Sequence, residues 1–122
     1  MRYPTPKASS PSVKVFWLNR QETIQRVQGA MKALRAQHPE IERAVLFGSL
    51  QRGDAVPGSD ADVLLTVGAT HLPFHERAAA YRPAGVGIPV DLFVYTRNEL
   101  DGMLAAGNRF VSRALAEGRD LL

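Results

Sequence analysis

Two uninterrupted apolar runs, Ala44-Val45-Leu46-Phe47 and Val63-Leu64-Leu65, constrain this chain more than any other feature. A run that is apolar at every position offers no polar face to water. It reads as a buried strand, and a sheet of buried strands has to be covered by helices. The segment that joins the runs, residues 46–65, reads LFGSLQRGDAVPGSDADVLL. Gly48 and Ser49 follow the first run directly, and Asp60-Ala61-Asp62 leads into the second. Two carboxylates one residue apart therefore sit at the mouth of a buried strand, just beyond a Gly-Ser turn.

The flanking residues supply the covering layers. Ile24, Val27, Met31 and Leu34 recur at three- and four-residue spacing, which predicts a helix over residues 20–37. Gln21, Gln25, Gln28, Lys32 and Arg35 take its other face, and His38-Pro39 ends it. Strands are predicted at residues 41–47, 61–67 and 87–95. Ser49 is a candidate cap for a short helical turn through about Arg52. A second short helix is expected over residues 73–82, with Pro73 at its first position. Thr96 and Glu99 have the spacing of a capping box, and one helix is expected from there to about Glu117, ended by Gly118. Residues 120–122 are a candidate edge strand. This order of elements predicts an α/β (α+β) chain: a small β-sheet flanked by helices.

At 122 residues and 45% hydrophobic, the chain suits one domain, placed at residues 19–122. Residues 1–12 hold three prolines and three serines, and residues 1–18 are expected to form a flexible N-terminal arm. The 13–18 segment reads as a short strand or as the lead into the helix. With no cysteine, disulfides and thiolate metal sites are excluded. No apolar run approaches the roughly 20 residues that a membrane span needs. The start lacks the apolar stretch of a secretory signal, so a cytoplasmic location is expected. Residues 1–43 carry eight Lys/Arg against three Asp/Glu, whereas residues 44–122 carry seven against nine. The basic excess thus lies away from the Asp-x-Asp, on a helix face able to meet a partner or a polyanion.

The chemistry gathers around residues 48–62. Gly48 lacks a β-carbon, so a ligand can approach its backbone closely. Ser49 adds a hydroxyl and an N–H at the start of a helical turn, a geometry that suits phosphate oxygens. Side chains at i and i+2 of an extended segment share a face, so Asp60 and Asp62 should converge. Two like charges at about 4 Å repel by roughly 4 kcal/mol at an effective dielectric near 20, which calls for a cation between them. Hard oxygen ligands suit Mg2+ or Mn2+ rather than Zn2+. Asp91 is a third carboxylate, inside the otherwise apolar strand segment IPVDLFVY. Phe47, Phe93 and Trp17 read as core residues, and His38, His71 and His75 do not form a metal-ligand spacing.

Together these pieces resemble the nucleotidyltransferase superfamily of DNA polymerase β, whose signature is G-S-x10-D-x-D followed by a distant Asp. Gly48-Ser49, Asp60, Asp62 and Asp91 match it with the ten-residue gap intact. The chain is most similar to the minimal nucleotidyltransferases (MNT), in which LFGS-x-x-RG leads into SD-x-D: Leu46 to Ser49, Arg52-Gly53, and Ser59-Asp60-Ala61-Asp62. The resemblance covers about residues 20–122 and departs from the family between residues 72 and 87 and in the Pro/Ser-rich start. It implies a palm-like mixed sheet and two-metal transfer of AMP from ATP to a hydroxyl. In that reading Asp60, Asp62 and Asp91 are catalytic and hold two Mg2+, Mn2+ being possible, while Gly48, Ser49 and Arg52 bind the nucleotide.

Relatives that modify antibiotics, tRNA or DNA usually carry a second domain for the acceptor. A single small domain implies an acceptor held by another subunit. Small MNT proteins are commonly partnered with helical HEPN-domain toxins and act as antitoxins by placing AMP on a partner tyrosine. The resemblance therefore implies a hetero-oligomer with a HEPN-type protein, docked through the last helix or the basic first helix. Two alternatives stand beside it: a non-catalytic subunit that neutralises a partner by contact, and a transferase for a small molecule such as an aminoglycoside.

Overall fold

The computed structural model describes residues 19–56 and 58–122. The expectations for the N-terminal arm and the 13–18 segment, Trp17 included, lie outside the described residues. Helix α1 spans Arg20–Gln37 and is followed by strand β1, Ile41–Phe47, and the single-turn helix α2, Gly48–Arg52. Strand β2 is Ala61–Val67, helix α3 is Phe74–Ala80 and strand β3 is Val90–Thr96. Helices α4, Arg97–Ala105, and α5, Arg109–Glu117, precede the two-residue strand β4, Arg119–Asp120.

The sheet runs β3-β2-β1-β4. Strands β1 and β2 are antiparallel, β2 and β3 are parallel, and β4 pairs antiparallel with β1. This is the small mixed sheet flanked by helices that the element order and the resemblance implied. Alternation along the strands sends side chains into two layers. On one face Leu46, Val63, Leu65 and Val94 pack with Ile24, Val27, Met31 and Leu34 of α1. On the other, Phe47 and Leu64 pack with Leu100 of α4 and with Val111 and Ala114 of α5. Among the described residues no helix is long and apolar enough to cross a membrane.

Several local expectations are corrected. The single helix expected from Thr96 to Glu117 is two. Gly107 takes φ +75°, its N–H bonds to the Leu104 carbonyl, and the Asn108 N–H bonds to the Met103 carbonyl. These two bonds close α4 in a Schellman arrangement. The Asn108 side chain then accepts from the Val111 N–H at 3.0 Å and caps α5. Strand β3 starts at Val90 rather than residue 87, because Pro89 has no N–H to give the ladder; its carbonyl instead accepts from the Ala61 N–H. Pro73 is the N-cap of α3, with ψ 156°, rather than its first helical residue. Gly118 does end α5, but in an extended conformation. A β-carbon there would lie 2.2 Å from Val45 Cγ1, so close approach to β1 is what requires glycine.

The capping box at Thr96 is present, and the structure adds a partner to it. The Thr96 side chain accepts from the Glu99 N–H, and the Glu99 carboxylate accepts from the Thr96 N–H. Arg77 of α3, only 6% exposed, donates to both Glu99 oxygens at 2.7 and 3.1 Å. Its remaining N–H groups reach the carbonyls of Leu72 and Val94. One buried guanidinium thereby ties α3 to β3 and to the start of α4.

Arg77, followed by the Thr96 N–H, holds the Glu99 carboxyl down to about 2, well below its ordinary 4.5. A carboxyl whose folded pKa is depressed stabilises the fold above its unfolded pKa and loses that contribution as pH falls. The loss should fall between pH about 4.5 and about 2. Thermal melts across this window should show Glu99→Gln with a flatter acid limb than wild type; parallel limbs would refute the assignment. Arg77→Met removes the ion pair and two carbonyl contacts, and calorimetry should record a loss of roughly 2–3 kcal/mol at neutral pH.

Candidate active site

The site begins where β1 ends. Phe47 is extended, and Gly48 then turns the chain with φ +77° into α2. A β-carbon on Gly48 would sit 2.2 Å from Asp62 Oδ2. Glycine is required there twice over, by its left-handed backbone and by the carboxylate against it. The Ser49 side chain does not cap α2 as expected, since Phe47 occupies the cap position and no side chain fills the role. The Ser49 carbonyl accepts from the N–H groups of Gly53 and Asp54, which closes the turn.

A residue that sequence reasoning missed holds this turn from behind. Arg20, the first residue of α1, donates through Nε to the Leu50 carbonyl at 2.8 Å and through Nη2 to the Gln51 carbonyl. A guanidinium on the last carbonyls of a helix satisfies acceptors that the helix itself leaves open. Arg20 lies 30 residues from Leu50, so no local pattern announces it.

The three aspartates are arranged by the sheet. Asp62 pairs in register with Phe47 on β1 and with Asp91 on β3. Side-by-side residues of parallel neighbours face the same way, so Asp62 and Asp91 stand on one face of the sheet. Asp60 lies just before β2 and is exposed, as is Asp91, while Asp62 is half-buried. Burial pushes the Asp62 carboxyl up first, followed by the charges of Asp91 and then Asp60; Arg52 opposes them. The like-charge crowding expected from the spacing thus falls on Asp62. Among the described residues no three carboxylates or imidazoles converge into a ready-made cation site. The donors are nonetheless hard oxygens at the ends of adjacent strands, and the charges of Asp91 and Asp60 beside Asp62 are of the kind a divalent cation offsets, so the residues fit such an ion by type.

Beside Asp62 opens a cleft of about 690 Å3. Its floor is Phe47, Gly48, Ser49, Arg52 and Asp62, and its far wall is α5, through Arg109, Phe110, Arg113 and Glu117. Asp60 and Asp91 lie outside its lining. Arg52 reaches Asp54 and Glu117 at 3.3 Å each, and the other Glu117 oxygen takes Arg113 Nε at 3.3 Å. One glutamate therefore holds two cleft arginines. The α5 residues escaped the sequence reading because a single long helix points them elsewhere. The Gly107-Asn108 pair was the available signal for the break. His38 and His75 lie 3.5 Å from Glu40 and Glu76, and no histidine lines the cleft.

Comparison with known proteins adds a family and a fold neighbour. Residues 27–117 match the family model described as "Nucleotidyltransferase domain". No curated protein matches significantly. Among solved structures, a protein from Sulfolobus solfataricus, provisionally called a nucleotidyltransferase and determined at 1.40 Å, superposes with a TM-score of 0.54. The match covers 79% of this chain and 84% of the other at 21% identity, which is evidence of a shared fold.

Gly48→Ala tests the contact at the centre of the site. The added methyl must displace the Asp62 carboxylate or distort the turn. Destabilisation of about 1–3 kcal/mol is expected from strain at a special φ/ψ position. A crystal structure of the variant should show Asp62 or residues 48–50 moved. An unshifted Asp62 with wild-type stability would contradict the contact.

Proposed function

The chain belongs to the nucleotidyltransferase domain family, and on that premise we propose that it transfers AMP from ATP to a hydroxyl on a partner protein. A nucleoside triphosphate as substrate follows from the family. The observation that carries the proposal to particular residues is the contact of Gly48 with Asp62, which brings the Gly-Ser turn and the Asp-x-Asp strand together. The register of Asp62 with Asp91 adds the third carboxylate.

In this reading the Gly48 backbone and Ser49 offer hydrogen bonds to phosphate oxygens, and Arg52 supplies positive charge beside them. Asp60, Asp62 and Asp91 would hold the divalent cations, Mg2+ by preference. When bound, such ions neutralise the triphosphate and offset charge that builds up at the α-phosphorus. Asp91, exposed at the sheet end, accepts the proton of the attacking hydroxyl. The hydroxyl oxygen bonds to the α-phosphorus, the bond to the bridging oxygen breaks, and pyrophosphate leaves. The MNT resemblance supports a tyrosine of a HEPN-type toxin as acceptor and an antitoxin role for this chain.

The decisive experiment is intact mass of a co-expressed HEPN-type partner after incubation with Mg-ATP. A gain of one adenylyl group on a tyrosine is expected; a partner that never shifts in mass sinks AMP transfer, and one that also runs separately on gel filtration sinks the antitoxin reading. The carboxylates separate by role. Asp91→Asn keeps the shape but loses the base, so Mg-ATP binding should persist while transfer falls 100-fold or more, the scale of general-base action being about 10²–10⁴. Asp60→Asn and Asp62→Asn should weaken both. Calorimetry with and without EDTA reads the metal dependence; equal ATP affinity in both would contradict it.

A further inference from the structure

The floor of the cleft accounts for phosphates, and the opposite wall has no assigned task. Phe110 stands on that wall with 42% of its surface exposed. Of the large apolar side chains exposed among the described residues, Val56, Phe74, Leu104 and Phe110, it alone lines this cleft. Its ring is held in place. Phe47 meets it at 82° with centroids 5.6 Å apart, and Phe93 meets it at 60° and 5.1 Å. Edge-to-face and tilted contacts of this kind fix an aromatic ring without covering all of it. Phe47 is the register neighbour of Asp62, so the platform stands next to the carboxylate end of the sheet. Arg109 and Arg113 flank Phe110 on the same helix and line the same cleft.

We propose that Phe110 is the base-stacking platform of this cleft, and that the nucleobase of the nucleoside triphosphate lies against its exposed ring with the phosphates turned toward Gly48 and Ser49. The inference rests on the reading of the cleft as the nucleotide site. Every base has a π-face, so stacking supplies affinity without choosing among bases. ATP and GTP should therefore bind within a few-fold of each other, and both should bind more tightly than inorganic tripolyphosphate.

The test is binding of Mg-ATP, Mg-GTP and Mg-tripolyphosphate to the full chain, wild type against Phe110→Ala and Phe110→Trp. Phe110→Ala should lose about 5- to 150-fold in affinity for both nucleotides, the range found when a stacking aromatic is truncated, and keep its affinity for tripolyphosphate. Phe110→Trp should bind nucleotide like wild type, and its added indole fluorescence should be quenched by ATP and not by tripolyphosphate. Should Phe110→Ala fail to fold, the quenching decides alone, and its absence overturns the proposal. Equal losses for nucleotide and tripolyphosphate, or nucleotide affinity within two-fold of wild type, overturn the stacking role while the phosphate site stands. Wild-type protein that binds tripolyphosphate as tightly as ATP does the same. Wild-type protein that binds neither overturns the nucleotide reading of the cleft, and the platform with it.

Discussion

The Asp62 carboxylate stands where a β-carbon on residue 48 would have to be. Much of the site follows from that exclusion. Because residue 48 carries no side chain, β1 can end in a left-handed turn directly against β2, and α2 begins beside a carboxylate instead of behind a wall. Because the carboxylate is pressed against backbone, it is half-buried and keeps company with Asp91 across the parallel ladder. A single missing methyl group thus lets the Gly-Ser turn and the Asp-x-Asp strand end meet, the juxtaposition on which the proposed nucleotide site rests.

The charges around this contact are segregated. Asp60, Asp62 and Asp91 gather at the end of the sheet, and Arg52, Arg109 and Arg113 line the cleft that opens beside it. Glu117 spans Arg52 and Arg113 and so offsets part of the positive wall. Phosphate oxygens arriving in the cleft would compete with Glu117 for the same guanidinium groups. These pairs are screened by solvent and weak, so exchange of one anion for another meets little resistance. Among the described residues Arg52 is the cation that acts on Asp62, and its influence is the smallest of those that act on it.

Features set by local pattern were legible in the sequence. The bounds of α1, β1 and β2 follow from apolar periodicity and from the breakers His38-Pro39 and Gly48. The capping box at Thr96 follows from a three-residue spacing. The juxtaposition of the Gly-Ser turn with Asp62 was implied by a motif rather than by periodicity. What stayed hidden depends on partners far apart in the chain. Arg77 looks like a surface residue of a short helix, and only the placement of Glu99 makes it a buried tie. The α5 wall was invisible because Leu100, Met103, Leu104, Val111 and Leu115 sustain an apolar stripe straight across Gly107. A stripe reports which side is apolar, and it does not report that the backbone changes direction.

Arg20 gives the site an outside anchor. The strands hold Gly48 and Asp62, but the far end of α2 hangs on a side chain from the first turn of another helix, through the carbonyls of Leu50 and Gln51. Mechanically this is a tether: tension or displacement at the start of α1 is transmitted through one guanidinium to the turn bearing Ser49 and Arg52. Without that guanidinium the last carbonyls of α2 would lose their partner while the strands still held Gly48 and Asp62.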